Sequence, residues 1–344
     1  MNNNTIVKNW LGYFRQRGVS GLLIEVYAEY IKTLVGNSVP VIFEFEHLSR
    51  LIGIDQARFR AMVNSPSSFY RTFHIKKRLG GLREISSPFP SLLICQDWIY
   101  KNILLNIPVH SCVHGYVPGR SIFTNATPHL NARCLLKMDI KNFFPSIKID
   151  WVANLFNQMG YADNVSFYLA SLCCKNGRLV QGASTSPYLT NILLRGLDHR
   201  LSSLAKSYNM EYTRYADDLT FSGEYIPHSV IGVVGAIISD FGLEPNVEKT
   251  RLQIARNQKI VTGLSVAGES LGVPRSFKRE LKKDLHFIQK FGFESHLAKK
   301  KIRKPFYIDS LIGKVNFWLQ AEPADQYAMQ ALSMLQGIHE RRAV

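Results

Sequence analysis

Three aspartates are the residues whose type and spacing are best suited to chemistry. Asp217 and Asp218 are adjacent within the stretch YTRYADDLTFS, and Asp139 follows an apolar run upstream. Adjacent carboxylates repel each other, and a lone aspartate among apolar neighbours is costly to bury. A bound cation removes both costs. An isolated Asp-Asp pair is more often an acidic, solvated turn, so the assignment depends on the rest of the chain.

The segments around these aspartates predict how they are positioned. Residues 212–215 and 219–222 are β-rich, and the second run alternates apolar and polar, which predicts a hairpin with Asp217 and Asp218 at its bend. Residues 135–254 predict a strand, helices, the hairpin, a helix and a strand in that order. This order is compatible with a split β-α-β sheet. Such a sheet brings Asp139 beside the bend, on a neighbouring strand.

The overall charge indicates a polyanionic partner. Forty-two Lys and Arg against 26 Asp and Glu give a net charge of +16 over 344 residues. Nucleic acid is the first candidate and an anionic membrane surface the second. The longest apolar run, 230–238, is too short to span a bilayer. The first residues lack the basic and apolar regions of a signal peptide, so we expect a cytoplasmic protein.

The cysteines fit the same compartment. None of them forms a C-x-x-C pair, which favours reduced, buried thiols over a disulfide framework or a zinc site. The five are Cys95, Cys112, Cys134, Cys173 and Cys174.

Other stretches carry weaker signals. Residues 6–63 predict helices without evident chemistry, and 69–89 predict a basic hairpin that is either a phosphate clamp or an edge strand guarded by lysines. A small-residue loop at 180–187 precedes a predicted helix from Tyr188 to Leu204. The stretch from Ser276 to Lys304 contains ten Lys or Arg but only three Asp or Glu. This excess of positive charge favours a nucleic-acid-binding surface over a merely solubilising one.

The three carboxylates indicate phosphoryl transfer. Aspartates on adjacent strand ends can hold two divalent cations about 3.5–4 Å apart, and hard oxygen ligands favour Mg²⁺. Such a centre lowers the pKa of an attacking sugar hydroxyl and stabilises the transferring phosphoryl group and the leaving pyrophosphate. Lys249 is a candidate acid for the pyrophosphate, with a simple ion pair to phosphate as the alternative.

Several short motifs follow one another in a fixed order along the chain. They are Asp139 with Phe143-Phe144, Gln181-Gly182 with Ser186-Pro187, Tyr215-Ala216-Asp217-Asp218, and Gly242-Leu243 followed by Asn246 and Lys249-Thr250. Two further elements are N-A-x-x-H at Asn125–His129 and V-T-G at Val261–Gly263. The ordered set resembles reverse transcriptases over roughly residues 65–320, and the last two elements are similar to those of bacterial retron enzymes. Two details differ from that family: Val180 stands where many relatives have proline, and no motif covers the first sixty residues.

The resemblance implies an α+β, right-hand polymerase fold with fingers, a palm built on the split β-α-β sheet, and a helical thumb. On this basis we expect an N-terminal helical extension at 1–64, fingers at 65–134, the palm at 135–258, and a primer-grip hairpin with the basic thumb at 259–344. It further implies RNA-directed DNA synthesis with two Mg²⁺ ions held by Asp139, Asp217 and Asp218.

The resemblance also implies roles for residues outside the acidic centre. Arg83 would lie near the incoming triphosphate, and Phe144 would exclude a ribose 2′-OH. The expected nucleotide-binding residues are Lys76, Arg83, Phe143, Phe144, Gln181 and Gly182. The expected RNA- and primer-binding residues are Asn125, His129, Val261, Thr262, Gly263, Lys278, Arg279, Lys282 and Lys283.

The implied partners are dNTPs and a dedicated structured RNA that serves as template and primer. Synthesis would begin at an internal 2′-OH and give branched, multicopy single-stranded DNA (msDNA), and an effector protein would act with the enzyme in phage defence. Two alternatives stay open at this point. One is another bacterial reverse transcriptase, of a group II intron or an abortive-infection system, and the other is a non-catalytic RNA-binding scaffold.

Overall fold

The structure, a computed structural model, describes residues 3–77, 80–254 and 259–343 and has the α+β composition expected from the sequence. Its helices are α1 (Asn3–Gln16), α2 (Gly21–Gly36), α3 (Phe45–Ile52), α4 (Gln56–Asn64), α5 (Pro90–Asn102), α6 (Ile122–Ala126), α7 (Phe143–Ser146), α8 (Ile149–Gln158), α9 (Asp163–Cys173), α10 (Ser186–Leu193), α11 (Arg195–Ser207), α12 (Ser229–Asp240), α13 (Arg275–Phe291), α14 (Phe293–Lys300), α15 (Tyr307–Ala321) and α16 (Gln326–Ala343). Its strands are β1 (Tyr70–Lys76), β2 (Leu82–Pro88), β3 (Cys134–Asp139), β4 (Glu211–Tyr215), β5 (Asp218–Gly223), β6 (Arg251–Ile254), β7 (Ile260–Val261) and β8 (Leu264–Ser265).

The chain divides into two compact units, each assembled from three segments. The first unit comprises Met1–Tyr116, Ile140–Leu201 and Val233–Asn246. The second unit comprises Val117–Asp139, Ser202–Gly232 and Val247–Val344. The three aspartates of interest all belong to the second unit.

The helical layer expected at 6–63 is present in the first unit as α1 to α4. Helix α4 begins after Asp55, whose carboxylate accepts a 2.9 Å hydrogen bond from the Arg58 backbone N–H, as is typical of a capping residue. Its apolar positions Phe59, Met62 and Val63 are buried. The helix is therefore held by a cap at its start and by one packed face.

The expected basic hairpin is also present in the first unit. Strands β1 and β2 pair antiparallel, with His74 opposite Glu84 and Lys76 opposite Leu82. Gly80 and Gly81 form the turn with φ of 93° and 79°, which is a backbone region open to glycine and costly for other residues. From Arg71 to Lys76 every side chain of β1 is exposed.

The second unit contains a four-stranded antiparallel sheet in the order β4-β5-β3-β6. Strand β3 lies between β5 and β6, and five of its six residues are buried, which explains its nearly continuous apolar sequence. Leu136 on β3 lies opposite Phe221 on β5 and Leu252 on β6. The register of this sheet is thus fixed by apolar side chains in its central strand.

The remaining helices of the second unit form one apolar core. Helix α13 buries Leu281, Leu285 and Ile288 at helical spacing, while its lysines and arginines occupy other faces. The same core contains the fully buried Trp318 of α15 and residues of the β7–β8 hairpin, such as Leu264. The predicted basic helices after Ser276 are therefore amphipathic, and the hairpin expected at 259–266 is packed against them.

The single helix predicted from Tyr188 to Leu204 is wrong. Two helices, α10 and α11, are separated at Leu194, where φ and ψ of −90° and 9° leave the helical region. A Cβ at Gly196 would lie 3.2 Å from the Phe241 ring, so this glycine allows α11 to approach α12 closely. Helix α10 also begins earlier than predicted, at Ser186, with Pro187 in its first turn.

All five cysteines are buried free thiols, as predicted from their spacing. Burial raises the pKa of the Cys95 and Cys173 thiols to about 12, so both are poor nucleophiles near neutral pH. Across the described residues, no helix combines the length and apolarity that a membrane crossing requires.

Candidate active site

Two strand ends bring the predicted catalytic carboxylates together. Asp139 is the last residue of β3 and Asp218 the first of β5, and the two are directly opposite in the antiparallel register. Asp217 immediately precedes Asp218, in the turn that joins β4 to β5. This confirms the predicted placement of Asp139 beside the Asp217–Asp218 bend on a neighbouring strand.

The turn that carries Asp217 is a two-residue hairpin loop. Only Ala216 and Asp217 separate Tyr215 from Asp218, which pair across the hairpin. Ala216 has φ of 58°, which is uncommon for a residue with a side chain. The buried Arg214 guanidinium donates a 3.1 Å hydrogen bond to the Ala216 carbonyl. A buried cation thus holds the strained turn, and sequence reasoning missed this role of Arg214.

Burial, with the charges around them, raises the proton affinity of Asp217 and Asp218. Burial, followed by the charges of Asp139 and Asp218, raises the pKa of Asp217 to about 6. Burial also raises the pKa of Asp218, while the nearby Lys137 ammonium offsets part of this effect. Lys137 lies two residues before Asp139 and therefore on the same face of β3. The sequence analysis did not name Lys137, although this spacing could have identified it.

Lys249 completes the cluster as an ion-pair partner. Its Nζ donates a 2.7 Å hydrogen bond to Asp139 Oδ2 from a 3-10 helix at Val247–Lys249. Burial lowers the pKa of Lys249, but this hydrogen bond and the charges of the three aspartates outweigh it and raise the pKa. Asp139 is buried and Lys249 is mostly exposed, so the lysine supplies the positive charge that a buried carboxylate requires.

The predicted nucleotide-binding residues all belong to the first unit. Lys76 and Arg83 lie near the turn of the β1–β2 hairpin and are exposed. The Gln181-Gly182 loop contacts the same hairpin, because the Ser86 backbone N–H donates a 2.8 Å hydrogen bond to the Gln181 carbonyl. A Cβ at Gly182, where φ is 113°, would lie 2.7 Å from the Ser86 carbonyl oxygen, so only glycine fits.

The two phenylalanines that follow Asp139 in the sequence form the short helix α7. Phe143 and Phe144 are both buried, and their ring centroids are 5.2 Å apart. Asn142 precedes them with φ of 48°, which ends the extended backbone abruptly. The strand therefore ends before the Phe143-Phe144-Pro145 run begins.

Comparison with known proteins assigns the chain to a protein family. Residues 75–303 match the reverse transcriptase (RNA-dependent DNA polymerase) family. The chain is 33% identical over 267 residues to the retron Ec86 reverse transcriptase of Escherichia coli, covering 76% of this chain and 83% of the relative. The chain belongs to the bacterial retron reverse transcriptases.

Two relatives from Myxococcus xanthus support the same assignment. The retron Mx65 reverse transcriptase is 38% identical over 280 residues, which cover 75% of this chain and 63% of the relative. The retron Mx162 reverse transcriptase is 34% identical over 289 residues, which cover 73% of this chain and 60% of the relative. The chain thus spans less than two thirds of these two longer relatives. Family membership makes this protein an RNA-directed DNA polymerase with the right-hand polymerase fold of its family.

A polymerase of this family depends on divalent metal ions, so the acidic cluster must be tested for its fit. Among the described residues, no three His, Cys, Asp or Glu side chains stand close enough to hold a metal ion as they are arranged. The chemistry of the donor set nevertheless fits: three carboxylates meet at adjacent strand ends, burial and then the charges of Asp139 and Asp218 raise the pKa of Asp217, and carboxylate oxygens suit hard cations. When bound, a divalent ion would supply electrostatic stabilisation at Asp139, Asp217 and Asp218.

Two residues of the retron N-A-x-x-H element, which the sequence predicts to bind RNA or primer, lie in the interior. Asn125 and His129 are both almost fully buried. The His129 ring lies between the side chains of Ser222 and Thr213, at 2.6 and 2.8 Å. Both ring nitrogens of His129 have a protein partner, whereas the buried Asn125 Oδ1 has no hydrogen-bond partner among the described residues.

The V-T-G triplet forms the turn of the β7–β8 hairpin. Val261, which the sequence also predicts to bind RNA or primer, is buried in the core of the second unit. Thr262 and Gly263 are at least partly exposed and have φ of 44° and 88°. Of the triplet, only these two turn residues are available to an outside partner.

The four basic residues predicted on α13 fall into two pairs. Lys278 forms an ion pair with Glu322 and lies 5.0 Å from the centre of the Trp318 ring. Lys282 lies 4.6 Å from the centre of the Tyr327 ring. These two lysines help attach α13 to α15 and α16. Arg279 and Lys283 are exposed, which leaves them as the stronger candidates for a nucleic-acid contact.

Proposed function

We propose that this reverse transcriptase copies a dedicated structured non-coding RNA into DNA, starting from an internal 2′-OH of that RNA. The product would be branched msDNA. Family membership, the N-A-x-x-H and V-T-G elements and the net charge of +16 support this proposal. The observation that carries its catalytic part is the direct pairing of Asp139 with Asp218, with Asp217 in the adjoining turn.

Each catalytic residue has a proposed role. Asp139, Asp217 and Asp218 would hold two Mg²⁺ ions, because three carboxylates at adjacent strand ends concentrate charge that hard cations neutralise. Lys249, now paired with Asp139, would be displaced from that carboxylate when cations bind. Its ammonium would then be available to the leaving pyrophosphate, as a proton donor or an ion-pair partner.

The reaction is a substitution at phosphorus. The 2′-OH of the priming nucleotide, and thereafter the 3′-OH of the growing strand, attacks the α-phosphorus of a dNTP. One P–O bond forms, the α–β bridging P–O bond breaks, the hydroxyl proton is released, and pyrophosphate leaves. Lys76 and Arg83 would bind the triphosphate, since both extend from an exposed hairpin and arginine offers a paired hydrogen-bond donor to phosphate oxygens.

One aromatic side chain, Phe144, is the proposed basis for selecting deoxyribonucleotides. We propose that Phe144 excludes a ribose 2′-OH, while Phe143, the more deeply buried of the two, supports its position at a centroid distance of 5.2 Å. Gln181 and Gly182 would lie against the nucleotide. The close approach of Gly182 to the Ser86 carbonyl shows why that loop has a fixed path.

The remaining proposals concern organisation and partners. Fingers at 65–134, palm at 135–258 and primer-grip hairpin with thumb at 259–344 remain the proposed divisions, and the boundary at 258 lies outside the described residues. Arg279, Lys283, Thr262 and Gly263 would contact the RNA or the primer. An effector protein acting with the enzyme in phage defence is part of the proposal, through the retron assignment alone.

Purification of the protein from cells carrying its native locus tests the proposal. Bound nucleic acid is treated with RNase and with debranching enzyme, for the wild type, for Asp217→Asn with Asp218→Asn, and for Asp150→Asn as a matched control. Asp150 is an exposed carboxylate in the first turn of α8. We expect a short DNA, joined to RNA and released by debranching, in the wild type and the control.

The alternatives give different products in the same experiment. DNA that depends on the aspartates but has no branch would retain the polymerase and exclude the retron reaction. Bound RNA without DNA in every sample would favour a scaffold.

A further inference from the structure

The buried His129 connects the two strands of the catalytic hairpin. Its Nδ1 lies 2.6 Å from Ser222 Oγ on β5, and its Nε2 lies 2.8 Å from Thr213 Oγ1 on β4. Thr213 is four residues before Asp217 and Ser222 is four residues after Asp218. A single rigid ring therefore links both strands at matching distances from the catalytic turn.

One assignment of donors and acceptors satisfies both nitrogens of this ring. The Thr213 hydroxyl donates to the Asn125 carbonyl at 3.5 Å, which leaves its oxygen to accept from His129 Nε2–H. Nδ1 is then the acceptor, and the Ser222 hydroxyl donates to it. This series of hydrogen bonds runs from Ser222 on β5 through His129 to Thr213 on β4, and from there to the Asn125 carbonyl. We name residues 121–129, which include Asn125 and His129, the brace segment.

The brace segment also holds the V-T-G turn. Asn125 Nδ2 donates to Thr262 Oγ1 at 3.4 Å, and Thr262 Oγ1 donates to the Ile122 carbonyl at 3.1 Å. Thr262 has φ of 44°, a costly conformation for a β-branched residue that the surrounding structure must maintain. Both retron elements are thus parts of one hydrogen-bonded network within the second unit.

We propose that His129 is a positioning residue for polymerisation. It fixes the β4–β5 hairpin, and with it Asp217 and Asp218, and through the brace segment it couples this hairpin to the β7–β8 turn. It does so from a fully buried position and not by touching RNA. The inference rests on the proposed catalytic role of Asp217 and Asp218.

Steady-state incorporation of dTTP on poly(rA)–oligo(dT) tests this role, together with equilibrium binding of the same template–primer. The full-length variants are His129→Ala, His129→Asn, Ser222→Ala and Thr213→Val, with His228→Ala as the control because His228 is an exposed histidine of the same unit. For His129→Ala we expect kcat to fall by up to about 100-fold, since small displacements of catalytic groups are that costly. We expect KM for dTTP and template–primer affinity to change by less than about threefold, because His129 contacts neither.

Partial rescue separates positioning from general destabilisation. The amide of His129→Asn reaches the place of Nδ1 and keeps the bond to Ser222, so it should recover about tenfold of the lost kcat. Adding Ser222→Ala to His129→Asn should remove that recovery. If His129→Ala fails to fold, as seen by circular dichroism, His129→Asn and Ser222→Ala decide the question on their own.

Two results would overturn the proposal. One is a normal kcat in His129→Asn and Ser222→Ala, and the other is a loss of template–primer affinity with kcat intact, which would make His129 an RNA contact. Asp217→Asn is assayed in parallel: if that variant stays active, the proposed catalytic centre itself fails. Loss of activity in Asp217→Asn with normal histidine and serine variants would instead reject only the inference on His129.

Discussion

The β4–β5 and β1–β2 hairpins differ in how much of their surface is buried. In β4–β5, Tyr212 stacks on Phe221 at a centroid distance of 4.7 Å, most residues are buried, and neighbouring strands continue the sheet. In β1–β2 only two strands pair and the side chains of Arg71 to Lys76 are exposed. The β4–β5 hairpin carries Asp217 and Asp218, and the β1–β2 hairpin carries Lys76 and Arg83, which are predicted to bind the triphosphate.

The difference shows which chemistry needs a rigid position. Carboxylates that hold cations must be placed within fractions of an ångström, and burial in a sheet provides that accuracy at the cost of charge repulsion. Lysine and arginine have long side chains, so an exposed hairpin can present them to a phosphate without fixed geometry. The two hairpins should therefore respond differently to substitution.

The largest effect is expected from the carboxylates of the buried hairpin and its neighbour. Asp139→Asn, Asp217→Asn and Asp218→Asn should each reduce incorporation of dTTP on poly(rA)–oligo(dT) by about 1,000-fold or more, because each removes a ligand for transition-state charge stabilisation. Asp150→Asn should leave the rate unchanged. Activity within about tenfold of the wild type in any of the three would reject that residue's role.

The next effect concerns the turns of the two hairpins. Ala216 is buried with φ of 58°, so Ala216→Val should lower the free energy of unfolding by about 1–3 kcal/mol, while Ala216→Gly should be neutral or stabilising. At Gly80, where φ is 93°, a Cβ would meet nothing within 4 Å, so Gly80→Ala should cost only the backbone strain, about 1–2 kcal/mol, with no packing loss. Urea denaturation measures all three. Equal losses at both turns would remove the contrast.

A smaller effect, on binding, is expected from the exposed hairpin. Arg83→Ala should raise KM for dTTP about tenfold with little change in thermal stability, because a charge-assisted phosphate contact is lost without disturbing a core. Arg83→Lys should recover part of the affinity. Arg71→Ala, at the other end of the same strand pair, provides the matched comparison. A fall in kcat with KM unchanged would argue against contact with the triphosphate in the ground state.

The smallest effect is a stability change with a defined pH dependence. The pKa of Asp217, about 6 in the folded chain against an ordinary 3.8, means that the folded chain binds this proton more tightly than the unfolded chain. This group therefore weakens folding as the pH rises from about 4 through 6. In metal-free buffer near pH 7, Asp217→Asn should raise the free energy of unfolding by about 1–2 kcal/mol, after allowance for solvent screening.

The free energy of unfolding, measured by urea denaturation as a function of pH, also provides an internal control. Below about pH 4 the gain from Asp217→Asn should vanish, since the carboxyl is then protonated in both states. Glu84→Gln on the exposed hairpin should show no comparable gain at any pH, because Glu84 is largely exposed and faces His74. A destabilised Asp217→Asn near neutral pH would contradict the account of the buried charges.

Much of the catalytic hairpin was predictable because its signals are local. Alternating residues fixed β5, the apolar run fixed β3, and the antiparallel arrangement then required Asp139 and Asp218 to meet. The cap at Asp55 and the turn at Gly80-Gly81 were predictable for the same reason. In each case neighbouring residues in the sequence determine the conformation.

The features that sequence reasoning missed depend on contacts between distant segments. Nothing near His129 indicates that Ser222 and Thr213 enclose it, and nothing near Lys249 indicates that it pairs with Asp139. The break at Leu194 follows a pattern that is apolar on both sides, so helical spacing alone could not reveal it. Burial of Asn125 and Val261 likewise becomes visible only in the folded chain.

Cation binding tests the central claim, that the paired strand ends form one catalytic centre, most directly. Electron paramagnetic resonance would count Mn²⁺ ions bound to a stalled complex with poly(rA), dideoxy-terminated oligo(dT) and dTTP. We predict that Asp139→Asn, Asp217→Asn and Asp218→Asn each weaken Mn²⁺ binding by about tenfold or more, whereas Asp150→Asn has no effect. Undiminished Mn²⁺ binding in all three aspartate variants would contradict the account, because the cations would then be held elsewhere.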